Sequence, residues 1–148
     1  IPVPGHGSFP SAHATEAYAV MTVMKALTKD WGTLSDQNQR EAVLHGLAER
    51  ITVNRTVAGV HYPIDSWCGA ALGQIVGQII LNRCGVGTDI APQRYVPASR
   101  DFFDDDLQDT SIALAAGLTR VAGPATRPAK ANAFDWIWQE ALAEKQGS

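Results

Sequence analysis

The stretch from Trp67 to Leu81 constrains the fold most, because it is almost entirely apolar. Gln74 and Gln78 interrupt it four positions apart, on one face of a helix. The run is shorter than the roughly 20 residues that a membrane-spanning helix needs. It therefore predicts a helix from Pro63 to about Arg83, buried among other helices of a soluble protein.

Two helices are predicted before this central one. The first runs from about Ala12 to Lys29 and is capped by Ser11. The second runs from about Asp36 to Val57, is capped by Ser35 and is ended by Gly59. Apolar residues at helical spacing predict their buried positions. These positions are Ala17, Val20, Met21, Met24 and Leu27 on the first helix, and Val43, Leu44, Leu47, Ile51 and Val53 on the second.

The C-terminal part predicts a long connection over residues 85–100 and two more helices. One starts in the acidic segment 101–107, and the last spans about Ala131 to Lys145. Their predicted buried positions are Ile112, Leu114, Leu118 and Val121 on the first and Phe134, Ile137, Trp138 and Leu142 on the second. No strand pattern or repeat is visible. The prediction is a single all-α domain over residues 1–148, a bundle of about five helices.

Composition limits the partners. The chain is 45% hydrophobic and 18% charged, with a net charge of −3 and a pI near 5.7, which argues against nucleic acid or an anionic membrane surface. Cys68 and Cys84 lie too far apart on one helix to bridge, so free buried thiols are predicted. The chain starts at Ile1 without an initiator Met, which predicts a piece of a longer protein.

The segment from Asn54 to Asp65 carries the most chemistry. It contains a cation at Arg55, an imidazole at His61 and, four residues later, a carboxylate at Asp65. Pro63 suits the first position of a helix, which puts Asp65 in the first turn, within reach of His61. A carboxylate on one ring nitrogen fixes the tautomer and leaves the other nitrogen to act as a nucleophile or a metal ligand.

A second helix start offers complementary groups. Ser11 at the N-cap, the backbone N–H of Ala12 and the imidazole of His13 lie in consecutive positions. Helix N-termini bind anions because their first N–H groups have no intrahelical acceptor. Together with Arg55 and His61, these groups predict a site for a tetrahedral oxyanion with an acid–base pair.

These residues resemble the motifs of one superfamily. Pro10-Ser11-Ala12-His13 is similar to the PSGH motif, and Arg55, His61 and Asp65 match the spacing of the SRx5Hx3D motif. Both occur in type-2 phosphatidic acid phosphatases (PAP2), bacterial acid phosphatases and vanadium-dependent haloperoxidases. The resemblance covers roughly residues 4–82 and implies a helical bundle. Ala12 replaces the motif's Gly, and Asn54 replaces its Ser.

The resemblance implies a role for each site residue. His61 would be the vanadium ligand in a haloperoxidase, or the nucleophile that becomes phosphohistidine in a phosphatase, and Asp65 would orient it. Arg55, the Ser11 hydroxyl and the Ala12 N–H would bind the oxyanion. His13 would transfer protons as the acid–base group.

His6 favours the haloperoxidase branch within that resemblance. Bromide-oxidising members carry a second His seven residues before the motif His, which is the spacing of His6 and His13. The favoured function is therefore a vanadium-dependent haloperoxidase that uses hydrogen peroxide and a halide. A soluble acid phosphatase acting on a phosphomonoester stays open, because phosphate fits the same site as vanadate. The oligomeric state, a homo-oligomer included, and the compartment, whether secreted or periplasmic, stay open too.

The superfamily's first motif, Kx6RP, has no match upstream of Ser11. The similar pattern at Arg120, Arg127 and Pro128 follows the other motifs and contains Gly123, so it should not be helical. The expectation is that a segment outside this chain supplies a Lys and an Arg to the site. A further alternative is an incomplete, non-catalytic fragment that binds oxyanions. That alternative predicts a large apolar patch beside His13 and Arg55.

Overall fold

A computed structural model describes residues 7–102 and 110–146. The described residues form five helices and one two-stranded antiparallel sheet. The helices are α1 (Ala12–Leu27), α2 (Leu34–Val57), α3 (Pro63–Arg83), α4 (Thr110–Ala115) and α5 (Asn132–Gln146). The strands are β1 (Gln93–Tyr95) and β2 (Leu118–Arg120). The predicted all-α class is confirmed, since helices dominate and the sheet is small.

Local sequence explains where the first three helices begin. Ser11 caps α1, because its Oγ accepts the N–H of Ala14 at 3.3 Å, and Pro63 is the first residue of α3. The prediction that Ser35 caps α2 was wrong. Thr33 is the N-cap: its Oγ1 accepts the N–H of Asp36 at 3.2 Å, while the Asp36 carboxylate accepts the N–H of Thr33 at 2.8 Å. This reciprocal pair starts α2 at Leu34, and the hydrogen bonds from Thr33 lower the pKa of Asp36.

The segment after α3 differs from the prediction. Leu118, predicted to lie on a helix, is in β2 and pairs with Tyr95 of β1. The helix ends at Ala115 because Gly117 adopts a φ of +96° and its carbonyl accepts the N–H of Val96 at 2.9 Å. A Cβ at Gly117 would lie 1.7 Å from the Val96 carbonyl oxygen, so only glycine permits this approach. Most of the acidic segment 101–107, where this helix was predicted to start, lies outside the described residues.

Helices α1 and α3 touch backbone to backbone along a line of glycines. Gly69, Gly73 and Gly77 recur every four residues and so share one face of α3. A Cβ built on Gly69 would lie 2.5 Å from the carbonyl oxygen of Ser11, and one on Gly73 would lie 2.5 Å from that of Thr15. The missing side chains therefore set the distance between the two helices.

The main core lies between α1 and α3, close to where both helices begin. Tyr18 and Trp67 are fully buried and pack with Phe102, whose ring centroid is 4.7 Å from that of Trp67. The Trp67 indole N–H donates to the carbonyl of Arg100 at 3.2 Å, which holds the incoming loop against α3. Leu81, Cys84 and Trp138 form a smaller cluster that joins α5 to the end of α3. Both cysteines are free; Cys84 is buried, whereas Cys68 is half-buried.

Several positions predicted to be buried are exposed. Helix α1 packs on α3 through Ala14, Tyr18 and Thr22, which turns Val20 to the outside with 61% of its surface exposed. On α2, Val43 and Leu47 are 69% and 54% exposed. The remaining exposed positions are Ile51, Leu114, Val121, Phe134 and Ile137. The spacing of apolar residues correctly predicted helices, but it does not show which apolar face of a helix is covered by another part of the chain.

By length and composition, α3 is also apolar enough to cross a membrane. Half of its most apolar window is buried inside the chain, as in the core helix of a soluble protein. One such helix is weak evidence for a membrane span.

Replacing Gly73 with Ala should destabilise the fold by about 2 kcal/mol, because the new Cβ pushes against the Thr15 carbonyl oxygen and the Tyr18 Cβ. The matched control is Gly46→Ala on α2, where a Cβ meets nothing within 4 Å. That control should stabilise the protein by up to about 1 kcal/mol, since Ala is the better helix former. Urea unfolding measures both, and equal effects at the two positions would contradict the close packing of α1 on α3.

Candidate oxyanion site

The N-termini of α1 and α3 are joined directly. The backbone N–H of Ser11 donates to the backbone carbonyl of Asp65 at 3.0 Å. Gly69, one turn further along α3, lets the α3 backbone approach the Ser11 carbonyl. The two predicted halves of the site, Ser11–His13 and Arg55–Asp65, are thereby brought together although they are distant in the sequence.

His61 and Asp65 form the buried centre of the site. His61 Nδ1 lies 3.4 Å from Asp65 Oδ2, and both side chains are almost fully buried. The same Oδ2 accepts the backbone N–H of Tyr62 at 2.9 Å, which fixes the carboxylate at the start of α3. A proton on Nδ1 facing Asp65 leaves Nε2 unprotonated, the form that a nucleophile or a metal ligand requires.

Arg55 lies at the end of α2 and is coupled to His61 through the backbone. Its carbonyl accepts the N–H groups of Val60 and His61 at 3.1 and 3.3 Å. Gly59 makes the reversal possible with a φ of +72°. The Arg55 Nε is buried, and it has no hydrogen-bond partner among the described residues. A buried guanidinium N–H in this state is a ready donor to an anion.

His13 and the first turn of α1 complete the arrangement. The His13 ring lies edge-on to the His61 ring, with centroids 6.1 Å apart, and His13 is exposed whereas Ser11 is fully buried. Ser11 Oγ accepts from Ala14, so its own hydroxyl proton is available to a ligand. The N–H groups of Ala12 and His13 have no intrahelical acceptor, because they lie in the first turn.

Other sequence-predicted residues do not join this cluster. His6 lies outside the described residues. Arg120 is on β2, and Arg127 is in a loop, ion-paired with Asp89 at 2.6 Å, so the two do not share a helix face. In residues 7–102 and 110–146, no group of three or more His, Cys, Asp or Glu side chains could hold a metal ion.

Two features of the site were not predicted. The first is that Gly69 positions Ser11. The glycines that recur every four residues along α3 could have predicted this, because they leave one face of the helix without side chains. Ser66, directly after Asp65, is fully buried, and its Oγ has no partner within the described part of the chain. Nothing in the sequence distinguishes a buried serine inside a helix from an exposed one.

A comparison with protein-family models matches residues 2–84, more than half of the chain, to the PAP2 superfamily. The chain belongs to the PAP2 superfamily. No curated protein and no solved structure matches it. The matched residues include both motifs and end just after α3, so the resemblance inferred from the motifs is confirmed at the level of the superfamily. The superfamily contains both phosphatases and haloperoxidases, and the match does not separate them.

The groups at this PAP2 site suit a tetrahedral oxyanion such as phosphate or vanadate. The orphaned Arg55 N–H, the Ser11 hydroxyl and the first-turn N–H groups are all donors, which is what an anion's oxygens require. His61 adds one buried imidazole with a carboxylate behind it. The donor set therefore fits either oxyanion.

Asp65→Asn should lower the affinity for inorganic phosphate or vanadate about 10- to 100-fold, since the amide oxygen can still accept the Nδ1 proton of His61 but lacks the negative charge that strengthens the imidazole as a ligand. The amide oxygen still accepts the Tyr62 N–H, so circular dichroism should show the fold intact. Isothermal titration calorimetry measures the affinity. Asp89→Asn, an exposed carboxylate paired with Arg127, is the control and should bind as the wild type does. Unchanged affinity in Asp65→Asn would remove Asp65 from the site.

Proposed function

We propose that the chain carries the active site of a vanadium-dependent haloperoxidase, which converts halide, hydrogen peroxide and a proton into hypohalous acid and water. Two observations carry the proposal: His61 and Asp65 form a buried pair, and Arg55, whose backbone carbonyl accepts the N–H of His61, has a buried guanidinium N–H without a partner within the described chain. This combination suits one imidazole bond to the central atom of an oxyanion and hydrogen bonds to its oxygens. The sequence position of His6 favours the halide branch over the phosphatases.

Each residue has a defined task in this proposal. His61 would bind vanadate through Nε2, and Asp65 holds the imidazole in the required orientation. Arg55 would neutralise part of the negative charge on the oxygens, and the Ser11 hydroxyl and the N–H of Ala12 would donate hydrogen bonds to them. His13, whose exposed ring lies edge-on to that of His61, would accept a proton from hydrogen peroxide on a ring nitrogen and would give it up again as water forms. When bound, vanadate supplies the Lewis acidity that polarises the peroxide.

A soluble acid phosphatase is the second candidate, because the same donors suit a phosphate ester. His61 Nε2 would attack phosphorus and form phosphohistidine while the ester oxygen leaves as an alcohol. His13 would protonate that leaving oxygen, and water would then release phosphate. The observation that favours it is the same edge-on contact of His13 with His61, which sets a proton donor beside the nucleophile.

The third candidate is a half-site that binds oxyanions without turnover. Within the described residues, Arg55 is the one cationic side chain that the motifs assign to the site, and a doubly or triply charged oxyanion calls for more positive charge. Val20 and Leu47 line the same groove as His13 and are more than half exposed, which supports this candidate. We propose that the remaining charge comes from a Lys and an Arg on a segment outside this chain.

A paired assay on one preparation separates the candidates. Bromide oxidation by hydrogen peroxide is followed with and without added vanadate, and hydrolysis of a phosphomonoester is followed in parallel. Haloperoxidase function predicts vanadate-dependent bromination that His61→Ala abolishes.

His45→Ala, on α2, is the control His variant and should retain activity. Phosphate release that vanadate inhibits would assign the chain to the phosphatases instead. No activity in either assay, together with measurable phosphate binding, would identify the half-site.

A further inference from the structure

After the end of α3, the chain returns to the beginning of the same helix. The Tyr95 hydroxyl donates to the backbone carbonyl of Ile64 at 3.5 Å. The carbonyl of Arg100 accepts the indole N–H of Trp67 at 3.2 Å. Both acceptor and donor on α3 lie in its first turns, so residues 95–102 contact the part of the helix that carries the candidate site. We refer to residues 95–102 as the return segment.

The small sheet holds the return segment in place. Tyr95 pairs with Leu118 of β2, and the N–H of Val96 donates to the Gly117 carbonyl at 2.9 Å. Tyr95 is half-buried and packs against the main core. Its phenol therefore meets α3 in a fixed position. The superfamily match ends at residue 84, so this support comes from a part of the chain that the match does not cover.

Tyr95 acts on the turn of α3 that carries the site. Ile64 directly precedes Asp65, whose carboxylate faces His61. The carbonyls of Ile64 and Asp65 both accept hydrogen bonds from outside the helix, the first from β1 and the second from Ser11 at the start of α1. Helix ends fray more easily than helix interiors. These two bonds therefore fix the carboxylate relative to the imidazole.

The Tyr95 hydroxyl keeps its proton and so remains a donor over a wide pH range. Burial raises the pKa of Tyr95 to about 12, and the nearby Cys68 and Asp65 add to this effect. The contribution of Asp65 reflects how close the phenol lies to the carboxylate that faces His61. The phenol is thus placed to support the site without adding a charge to it.

We infer that Tyr95 is a positioning residue of the oxyanion site. Its hydroxyl holds the first turn of α3, and thereby the Asp65 carboxylate, in the place where the carboxylate fixes the tautomer of His61. Tyr95 acts through the backbone of Ile64, so this role requires no contact with the oxyanion. The inference rests on the proposed function, because it requires an oxyanion to bind at His61.

Tyr95→Phe tests the inference, because it removes the hydroxyl and keeps the ring. The Ile64 carbonyl still accepts within the helix, so the variant leaves no backbone group of this turn without a partner and should fold. Circular dichroism checks the fold. The affinity for inorganic phosphate, measured by isothermal titration calorimetry, should fall about two- to tenfold, which corresponds to the loss of one neutral hydrogen bond.

Nuclear magnetic resonance of the His61 ring nitrogens is the second readout. Their chemical shifts differ between the two tautomers, and the His61→Ala spectrum identifies the signals. At a pH where the imidazole is neutral, the wild type should show the form protonated on Nδ1, whereas Tyr95→Phe should show a mixture of both forms. A loss of stability alone would not change the ratio of the tautomers.

Thr119→Val is the matched control. Thr119 Oγ1 donates to the carbonyl of Arg94 at 3.3 Å, so this hydrogen bond lies within the sheet, beside Tyr95. The variant also loses one bond from a hydroxyl to a backbone carbonyl, and it keeps a β-branched side chain, which suits a strand. Urea unfolding should show a destabilisation comparable to that of Tyr95→Phe, whereas phosphate affinity and the His61 spectrum should match those of the wild type.

Four outcomes would overturn the inference. If Tyr95→Phe binds phosphate as the wild type does, Tyr95 is only a structural residue, and the oxyanion site stands without it. A weaker affinity with an unchanged His61 spectrum would exclude the route through Asp65. Equal losses of affinity in Tyr95→Phe and Thr119→Val would assign the effect to the stability of the sheet. No binding of phosphate by the wild type would overturn both this inference and the proposed oxyanion site.

Discussion

The structure depends on how closely α1 and α3 approach each other. Because Gly69, Gly73 and Gly77 have no side chains, one face of α3 is bare over three successive turns, and the backbone of α1 occupies the space. Because helix N-termini are useful only where their N–H groups can point at a common ligand, this approach also decides whether a site exists. The close packing of α1 on α3 therefore also fixes the geometry of the candidate site.

Asp65 connects the packing of the two helices with the candidate site. Its carboxylate faces His61 and accepts the Tyr62 N–H, while its backbone carbonyl accepts the Ser11 N–H from the other helix. A single residue thus orients the imidazole, starts α3 and fastens α1. The bond to Ser11 uses the backbone alone, whereas the contacts with His61 and Tyr62 both use the carboxylate oxygen Oδ2.

Features set by neighbouring residues could be predicted from the sequence, whereas features set by contacts between distant elements could not. The bounds of α3, the Ser11 cap and the superfamily follow from turn residues and motif spacing, each of which acts over a few neighbouring residues. The short sheet was missed because three-residue strands carry no periodicity. The exposure of Val20 and Leu47 was missed because periodicity reports that a face is apolar, not what covers it. The meeting of Ser11 with Asp65 followed only as an expectation from the motifs.

The two halves of the site differ in how they form during folding. The hydrogen bonds that the N–H groups of Val60 and His61 donate to the Arg55 carbonyl close a loop of a few residues, so they can form as soon as α2 and α3 are helical. The bond from Ser11 to Asp65 joins segments separated by the whole of α1 and α2, and closing so long a loop is slow and costs more entropy. Helix α1 packs extensively against both α2 and α3, whereas α2 and α3 touch each other little, so α1 is the element that holds the other two together. The Ser11 hydroxyl and the N-terminus of α1 therefore come to lie beside Asp65 only when this long-range contact between α1 and α3 has formed.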